Sequence, residues 1–439
     1  MKIFRLNTLY IFLIFIFTCS KPDLNVKKEL EAIDLSQIDK NTLPYKLEII
    51  EKFGDADKEF RLPIDLNGNG MDELVQVLKV PGSSNRPSHI LAKSFNPKID
   101  KFQKNFYNEL STPTFFDINN NGQKEIFISE LTPDTTYLHV INFEGKILHS
   151  FIGAINPQKS NKEWYCDIKV VGLIDVNGDN LKDMLLSVTT RHAYQPRGIF
   201  AYDFFNKKYV WKYNTGFVPQ TIQILDVIGD EKPEIFMGST APCNGNEKVV
   251  NGTDDYHSYR TVLSSNGEFL LKKECGKEFS NVSLSIHDIT GDGKAEVIYN
   301  FFRGKNPNEK SLIGIWDVGK NRISPSISIE NNNSKLETFC DVNNNGKDEM
   351  LIGWDDGRLE FRDFELTSIL SRKFIDFVPG TIVSYDINND GEVEIFVSGS
   401  LKGNGIILGL TKNLQIITYL ELDNSVTINP VPYHIFNKG

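Results

Sequence analysis

A nine-residue acidic stretch recurs seven times along this chain, about once every fifty residues, and that period most constrains the fold. The copies begin at Asp65 (DLNGNGMDE), Asp117 (DINNNGQKE), Asp175 (DVNGDNLKD), Asp226 (DVIGDEKPE), Asp288 (DITGDGKAE), Asp341 (DVNNNGKDE) and Asp386 (DINNDGEVE). An apolar run enters each copy, as in VVGLID and TIVSYD, and another leaves it, as in EIFISE and DMLLSV. Two more runs follow, joined by tight turns such as the Glu-Gly of HVINFEGKILHSF and the Asn-Gly of TVLSSNGEFLLKK, which suit hairpins. Each repeat therefore reads as four short strands, A to D, with the acidic loop between A and B. No long segment of helical period interrupts them. The prediction is an all-β chain, a seven-bladed β-propeller of four-stranded antiparallel blades with calcium-type loops between strands A and B.

The loop chemistry follows from positions 1, 3, 5, 7 and 9. Hard cations take six to eight oxygen ligands. Side chains at 1, 3 and 5, a carbonyl at 7 and an acid at 9 supply such a set, and glycine at 6 permits the positive φ that folds the loop back. Asn180 holds that place in the third copy. Structural Ca²⁺ is expected at about six sites: Asp65, Asn67, Asn69 and Glu73; Asp117, Asn119, Asn121 and Glu125; Asp175, Asn177, Asp179 and Asp183; Asp288, Thr290, Asp292 and Glu296; Asp341, Asn343, Asn345 and Glu349; Asp386, Asn388, Asp390 and Glu394. The fourth copy is expected to be empty or weak, because Ile228 cannot ligate, Glu231 replaces glycine and Pro233 stiffens the exit. Asx-turns alone would explain the Asp and Asn residues, but not the acid at position 9 in all seven copies.

From about residue 45 onward the chain resembles the integrin α-type propeller built from FG-GAP or VCBS repeats. The metal-type loop carries the match. The resemblance implies the strand–loop–strand form of calcium site and a recognition role.

The N-terminus reads separately. Lys2 and Arg5 precede the apolar run LYIFLIFIF (Leu9 to Phe17), too short for a comfortable membrane span. Cys19 follows directly, then polar residues, which resembles a bacterial lipoprotein signal. Residues 1–18 would be the signal peptide, 19–44 a lipidated Cys19 with a polar tether, and 45–439 the propeller. Export follows, with a lipid anchor in the cell envelope. Ser20 after the cysteine favours the outer membrane or cell surface. The formal charge of -10 argues against nucleic acid as a partner. None of Cys166, Cys243, Cys275 and Cys340 forms a C-x-x-C pair. Cys243 and Cys275 could form a disulfide, whereas Cys166 and Cys340 read as buried thiols.

Loops joining strands B and C fall on the face opposite the acidic loops. The third carries Arg191, His192, Tyr194 and Arg197. The fourth, the longest, carries Asp254, Asp255, Tyr256, His257 and Arg260, and the fifth Arg303. Long loops on a rigid scaffold are where ligands tend to bind, so these residues are the candidate ligand face. No nucleophile–base–orienter set is visible from spacing. The tryptophans Trp164, Trp211, Trp316 and Trp354 do not recur at one position, which weakens a quinone-dependent oxidoreductase. The expectation is a non-catalytic, calcium-stabilised envelope lipoprotein that binds an extracellular protein, glycan or small ligand. The alternative is an extracellular propeller enzyme, a lyase, hydrolase or quinone-dependent oxidoreductase.

Overall fold

The computed structural model describes residues 28–45, 59–80, 87–95, 98–157, 164–191, 194–227, 229–244, 249–329, 334–386 and 390–421. Two short strands come first, β1 (Lys28–Glu29) and β2 (Ile33–Asp34). The first repeat is β3 (Glu59–Ile64), β4 (Glu73–Leu78), β5 (Ser88–Phe95) and β6 (Lys98–Phe106). In the second, Pro113 interrupts strand A into β7 (Glu109–Leu110) and β8 (Thr114–Phe116), both paired with β9 (Glu125–Leu131), and β10 (Thr135–Ile141) and β11 (Ile147–Ile155) follow. The third is β12 (Cys166–Ile174), β13 (Asp183–Thr190), β14 (Gly198–Asp203) and β15 (Lys208–Asn214). The fourth is β16 (Val218–Leu225), β17 (Glu234–Thr240), β18 (His257–Leu263) and β19 (Phe269–Lys277), and the fifth β20 (Asn281–His287), β21 (Glu296–Phe302), β22 (Ser311–Asp317) and β23 (Arg322–Ile329). The sixth is β24 (Ser334–Cys340), β25 (Glu349–Trp354), β26 (Arg358–Arg362) and β27 (Ser368–Ile375). The seventh is β28 (Phe377–Tyr385), β29 (Glu394–Leu401), β30 (Asn404–Thr411) and β31 (Ile416–Glu421).

Within each repeat the strands pair antiparallel in chain order, so the described residues hold seven four-stranded meanders. The fourth and fifth touch edgewise through one pair, Thr240 with Asn281. Strand B explains the continuous apolar runs. In β13, Met184, Leu186 and Val188 face the second sheet, while Leu185 faces the fourth. A strand buried on both faces has no polar side to show in sequence. Six apolar clusters fill the spaces between consecutive sheets, from the first–second pair to the sixth–seventh. This face-to-face stacking of small antiparallel sheets is the β-propeller fold. The last repeat supplies its own outer strand, β31. A contribution of residues 46–53 to ring closure, and the packing of VTINPVPYHIF, fall outside the described residues.

Residues 28–45, grouped with the tether on composition, are docked instead. β1 and β2 pair in parallel with β27, through Lys28 with Leu370 and Ile33 with Phe374. Asp34 and Asp39 each cap a short 3-10 turn. Leu35 is buried in the cluster between the sixth and seventh sheets, with Leu30, Ile33, Ile38 and Leu43 packed around it. The segment then reaches the seventh sheet. Lys40 Nζ lies 3.1 Å from Glu421 and over the Tyr419 ring, and the Tyr45 N–H donates to the Ile417 carbonyl at 3.1 Å. The segment is polar on average, but an apolar residue every two to five positions is enough to hold it.

Leu35 thus bridges two sheets. Leu35→Ala is expected to destabilise the chain by about 2–5 kcal/mol, the range for a truncated buried leucine. A change below about 0.5 kcal/mol in denaturant unfolding would show that the docked segment contributes nothing to the fold.

Candidate metal-binding loops

The loops share one hydrogen-bond frame, the seventh as far as its residues are described. The aspartate at position 1 collects loop N–H groups. Asp65 Oδ1 accepts from Gly68 at 2.8 Å and Oδ2 from Gly70 at 2.8 Å. Asp175 accepts from Gly178 and Asn180, Asp226 from Gly229 and Glu231, and Asp288 from Gly291 and Gly293. Asp341 and Asp386 accept from Gly346 and Gly391. The side chain at position 5 takes the N–H of position 7, as Asn69 does from Met71 and Asp390 from Glu392. The acid at position 9 is buried, or half-buried at Glu296, at the root of strand B and accepts the N–H of position 2. Glu73, Glu125, Asp183, Glu234, Glu296 and Glu349 all do so, at 2.9 to 3.1 Å. Where position 3 is asparagine and position 9 glutamate, the amide donates to the second carboxylate oxygen: Asn67 to Glu73, Asn119 to Glu125, and Asn343 to Glu349. Asn388 lies outside the described residues.

Positions 4 and 6 both take positive φ, at Gly68 and Gly70, Asn120 and Gly122, Gly178 and Asn180, Gly291 and Gly293, and Asn344 and Gly346. The need at position 6 is readable from its glycines. The need at position 4 was readable too, since Gly or Asn stands there in every copy.

Burial, before any neighbour, pushes five of the closing acids up. Asp183 reaches about 6, with Asp203, Asp179 and Asp175 adding to it, and Glu349 about 7, with Asp341 and Asp348 adding. Glu73, Glu125 and Glu296 shift the same way. For Asp175 and Asp288 a burial penalty is outweighed by the converging N–H donors, which hold both below the usual carboxylate range.

The loops crowd together. The Lys124 N–H in the second donates to the Leu66 carbonyl in the first at 2.8 Å, and a Cβ on Gly68 would strike the Gly122 carbonyl. A cleft of about 870 Å³ is lined by the third and fourth. His287, beside the fifth, meets Asp348 of the sixth at 2.6 Å and stacks on Phe339. Lys412 contacts Asn344 of the sixth and Glu392 of the seventh.

Among the described residues, two groups of three carboxylates have oxygens within 4.8 Å of one another: Asp288, Asp292 and Glu296, and Asp226, Asp230 and Glu234. The second group lies in the loop expected to be empty. Glu231 adopts φ +67 there, so the loop keeps its shape without glycine. An all-oxygen, carboxylate-rich set fits a hard divalent cation.

The opposite face differs from expectation. Arg197 and Asp255 are wholly buried. The Arg197 Nε donates to the Thr190 carbonyl and Nη1 to the Gly216 carbonyl. Burial pulls its guanidinium down to about 10, against the attraction of Asp255. Gly216 N–H donates to Thr253, and Asn251 to the Asn214 carbonyl. The described part of the fourth B–C loop is therefore folded onto the third sheet. Arg260 packs over the Trp316 and Tyr299 rings, and Arg191, exposed, over Tyr165. Asp254 accepts from Tyr256 and His257. Tyr194 packs on the cluster between the second and third sheets, and the Arg303 N–H donates to Ser311. His192 lies outside the described residues. Cys243 and Cys275 are free thiols. Cys243 sits by Asp255 and Phe279, while Cys275 faces Tyr299, so each sulfur has its own surroundings and no bond joins them. Cys166 and Cys340 are buried and free.

Sequence spacing also missed a cross-strand line in the second sheet. Ser150 Oγ lies 2.7 Å from His139 Nδ1, and His139 Nε2 lies 3.1 Å from Glu130. Asn108 holds Glu130 through its N–H and its amide. The three residues stand on β11, β10 and β9, and only the strand register unites them.

No family model matches the chain, and no curated protein matches it. Solved propellers do. The dihydro-heme d1 dehydrogenase NirN, in complex with DHE, aligns with a TM-score of 0.50 at 8% identity over 85% of this chain and 68% of that one. The Dos1 propeller aligns at 0.46 and 11%, over 84% and 90%. BBS1N, in complex with ARL6DN, aligns at 0.43 and 10%, over 84% and 93%. The likeness is one of fold.

A non-glycine residue at positive φ is strained by about 1–2 kcal/mol. Glu231→Gly relieves that strain, less the backbone entropy glycine adds to the unfolded chain. The variant should gain up to about 1 kcal/mol in equilibrium unfolding. A loss of stability would mean that the Glu231 side chain holds the fourth loop.

Proposed function

We propose that this chain is a calcium-stabilised, non-catalytic propeller of the FG-GAP or VCBS kind. It is exported, anchored by lipid on Cys19 in the cell envelope, and it binds an extracellular protein, glycan or small ligand. One observation carries the calcium reading. Every loop gathers acids at its two ends, at positions 1 and 9, in a frame that Asx-turns alone do not require, and two loops draw three carboxylate oxygens within 4.8 Å. Carboxylates in such proximity repel one another, and a divalent cation turns that repulsion into attraction. Asp226, Asp230 and Glu234 join the ligand sets proposed from sequence, which makes the fourth loop a candidate like the others. The cation would neutralise the corner between strands A and B.

For the ligand face, Arg197 and Asp255 are structural. Arg191, Tyr256, His257 and Arg303 retain exposed surface and are the residues offered to a partner.

The test is the melting temperature of residues 20–439 in EDTA, then with Ca²⁺ or Mg²⁺. Ligand at one hundred times its dissociation constant adds about 2.7 kcal/mol per site, so several sites give a large rise with Ca²⁺. No shift with either ion would reduce the loops to Asx-turns. Loss of lipid labelling in Cys19→Ser checks the anchor.

A second reading, a hydrolase, is favoured by the Ser150–His139–Glu130 line. The imidazole could take the Ser150 proton while Glu130 steadies the charge. Against it, His139 is buried, with Phe106 and Tyr137 rings beside it. A fluorophosphonate should leave Ser150 unlabelled. Labelling that disappears in His139→Ala would overturn the non-catalytic reading.

A further inference from the structure

The third loop departs from its siblings at its closing residue. In the first, second, fifth and sixth loops that residue is glutamate, and both its oxygens are used. One takes the N–H of position 2, the other a side chain at position 3. In the third loop it is Asp183, one methylene shorter. Its Oδ2 accepts the Val176 N–H at 3.1 Å. Its Oδ1, although Asp183 is 0% exposed, has no hydrogen-bond partner. The Asn177 amide, which in a sibling would satisfy that oxygen, turns instead to Asp203 Oδ2 at 3.4 Å.

Asp203 lies outside the nine-residue repeat, at the end of β14. Met184 pairs with Tyr202, which sets Asp203 across the ladder from Asp183. Asp203 is 1% exposed. Its remaining partners are the Asn206 N–H at 2.8 Å and the Asn206 amide at 2.7 Å. Neither carboxylate takes part in an ion pair among the described residues. The corresponding place in the fifth sheet is held by Asp317, across from Glu296, but there Lys320 Nζ sits 2.8 Å away and the Asp317 side chain is 30% exposed. Like charges directly opposite each other weaken a ladder, and a buried carboxylate oxygen with no donor is costly. The turn from 203 to 206 explains the Asn206 bonds. It explains neither the idle oxygen of Asp183 nor a second buried carboxylate across the ladder from it. A cation between them explains both.

We propose that Asp203 is a further cation ligand of the third loop, which then offers Asp175, Asp179, Asp183 and Asp203 and fills before the other loops. This rests on reading the loops as cation sites. More ligand charge gives tighter Ca²⁺ binding, and here two of the charges are already buried at the root of the strands.

The experiment uses the full exported chain, as wild type, Asp203→Asn, Asp203→Ser and Asp317→Asn. Serine keeps a turn-capping hydroxyl, as Ser264 does for Glu268 in the fourth sheet, so it guards against a variant that simply misfolds. Melting is followed in EDTA and in Ca²⁺, and Tb³⁺ luminescence is titrated through the aromatic residues. In EDTA both Asp203 variants should melt at or above wild type, because a repulsion is gone. In Ca²⁺ they should melt below it, and the first Tb³⁺ equivalent should weaken at least tenfold. Asp317→Asn should keep that first equivalent. Equal losses of melting temperature with and without Ca²⁺, with the first equivalent intact, would overturn the proposal and leave Asp203 as a turn residue. A wild type that ignores both ions would overturn it together with the calcium reading. A Ca²⁺ response unchanged by the Asp203 variants would overturn it alone.

Discussion

The corner between strands A and B depends on a buried carboxylate that holds the N–H two residues into the loop. That N–H points away from any ladder partner, and leaving it unpaired in the interior would cost about 1–3 kcal/mol. The acid at position 9 satisfies it and at the same time starts strand B, so one residue sets where the loop ends and which residues of strand B face each neighbour. Because side chains alternate along a strand, a one-residue slip would exchange the two neighbouring interfaces. The same bond recurs from Glu73 to Glu349. Each repeat can therefore fix its own register locally while depending on its neighbours for burial.

That dependence is the second constraint. A four-stranded sheet buried on both sides cannot satisfy its core alone. Phe127 and Leu138 of the second sheet reach the same cluster as Cys166 and Met184 of the third, and the pattern continues to the seventh. Stability in such an array is spread over interfaces between neighbours. The docked segment at 28–45 follows the same rule, since Leu35 fills a place between two sheets that neither fills alone.

The loops and the four-strand repeat were legible because their signals are local. A nine-residue spacing and a turn dipeptide need no knowledge of the distant chain. Most of what was missed depended on distant residues. The docking of 28–45 rests on five apolar side chains spread through a polar stretch, and its partner strand lies some 340 residues on. Arg197 and Asp255 read as binding residues because Arg and Asp are usually exposed. Only the folding of one B–C loop onto the neighbouring sheet buries them. The Ser150–His139–Glu130 line needed the register of three strands. Glu231 was read as a defect, yet the hydrogen bonds to Asp226 hold the loop in shape despite its positive φ.

The division between faces has a consequence for how such a chain can meet a partner. Around the acidic loops the carboxylates are spent on the scaffold, on N–H groups or, under the proposed reading, on cations. A partner approaching there finds charges already committed. On the other face Arg197 and Asp255 are committed as well, so under the proposed reading recognition would rest on the exposed remainder. Orientation adds a further limit. With a lipid on Cys19, nine chain steps would lead from the anchor to Lys28 of the first docked strand, and a chain spans at most about 3.3–3.6 Å per residue. The outer edge of the sixth sheet would then stay within about 30 Å of the membrane, where β1 pairs with β27. Under that reading the anchor would hold the propeller at the outer edge of one sheet and would cover neither face, so a partner would not need to come from above the membrane to reach Arg191 or His257.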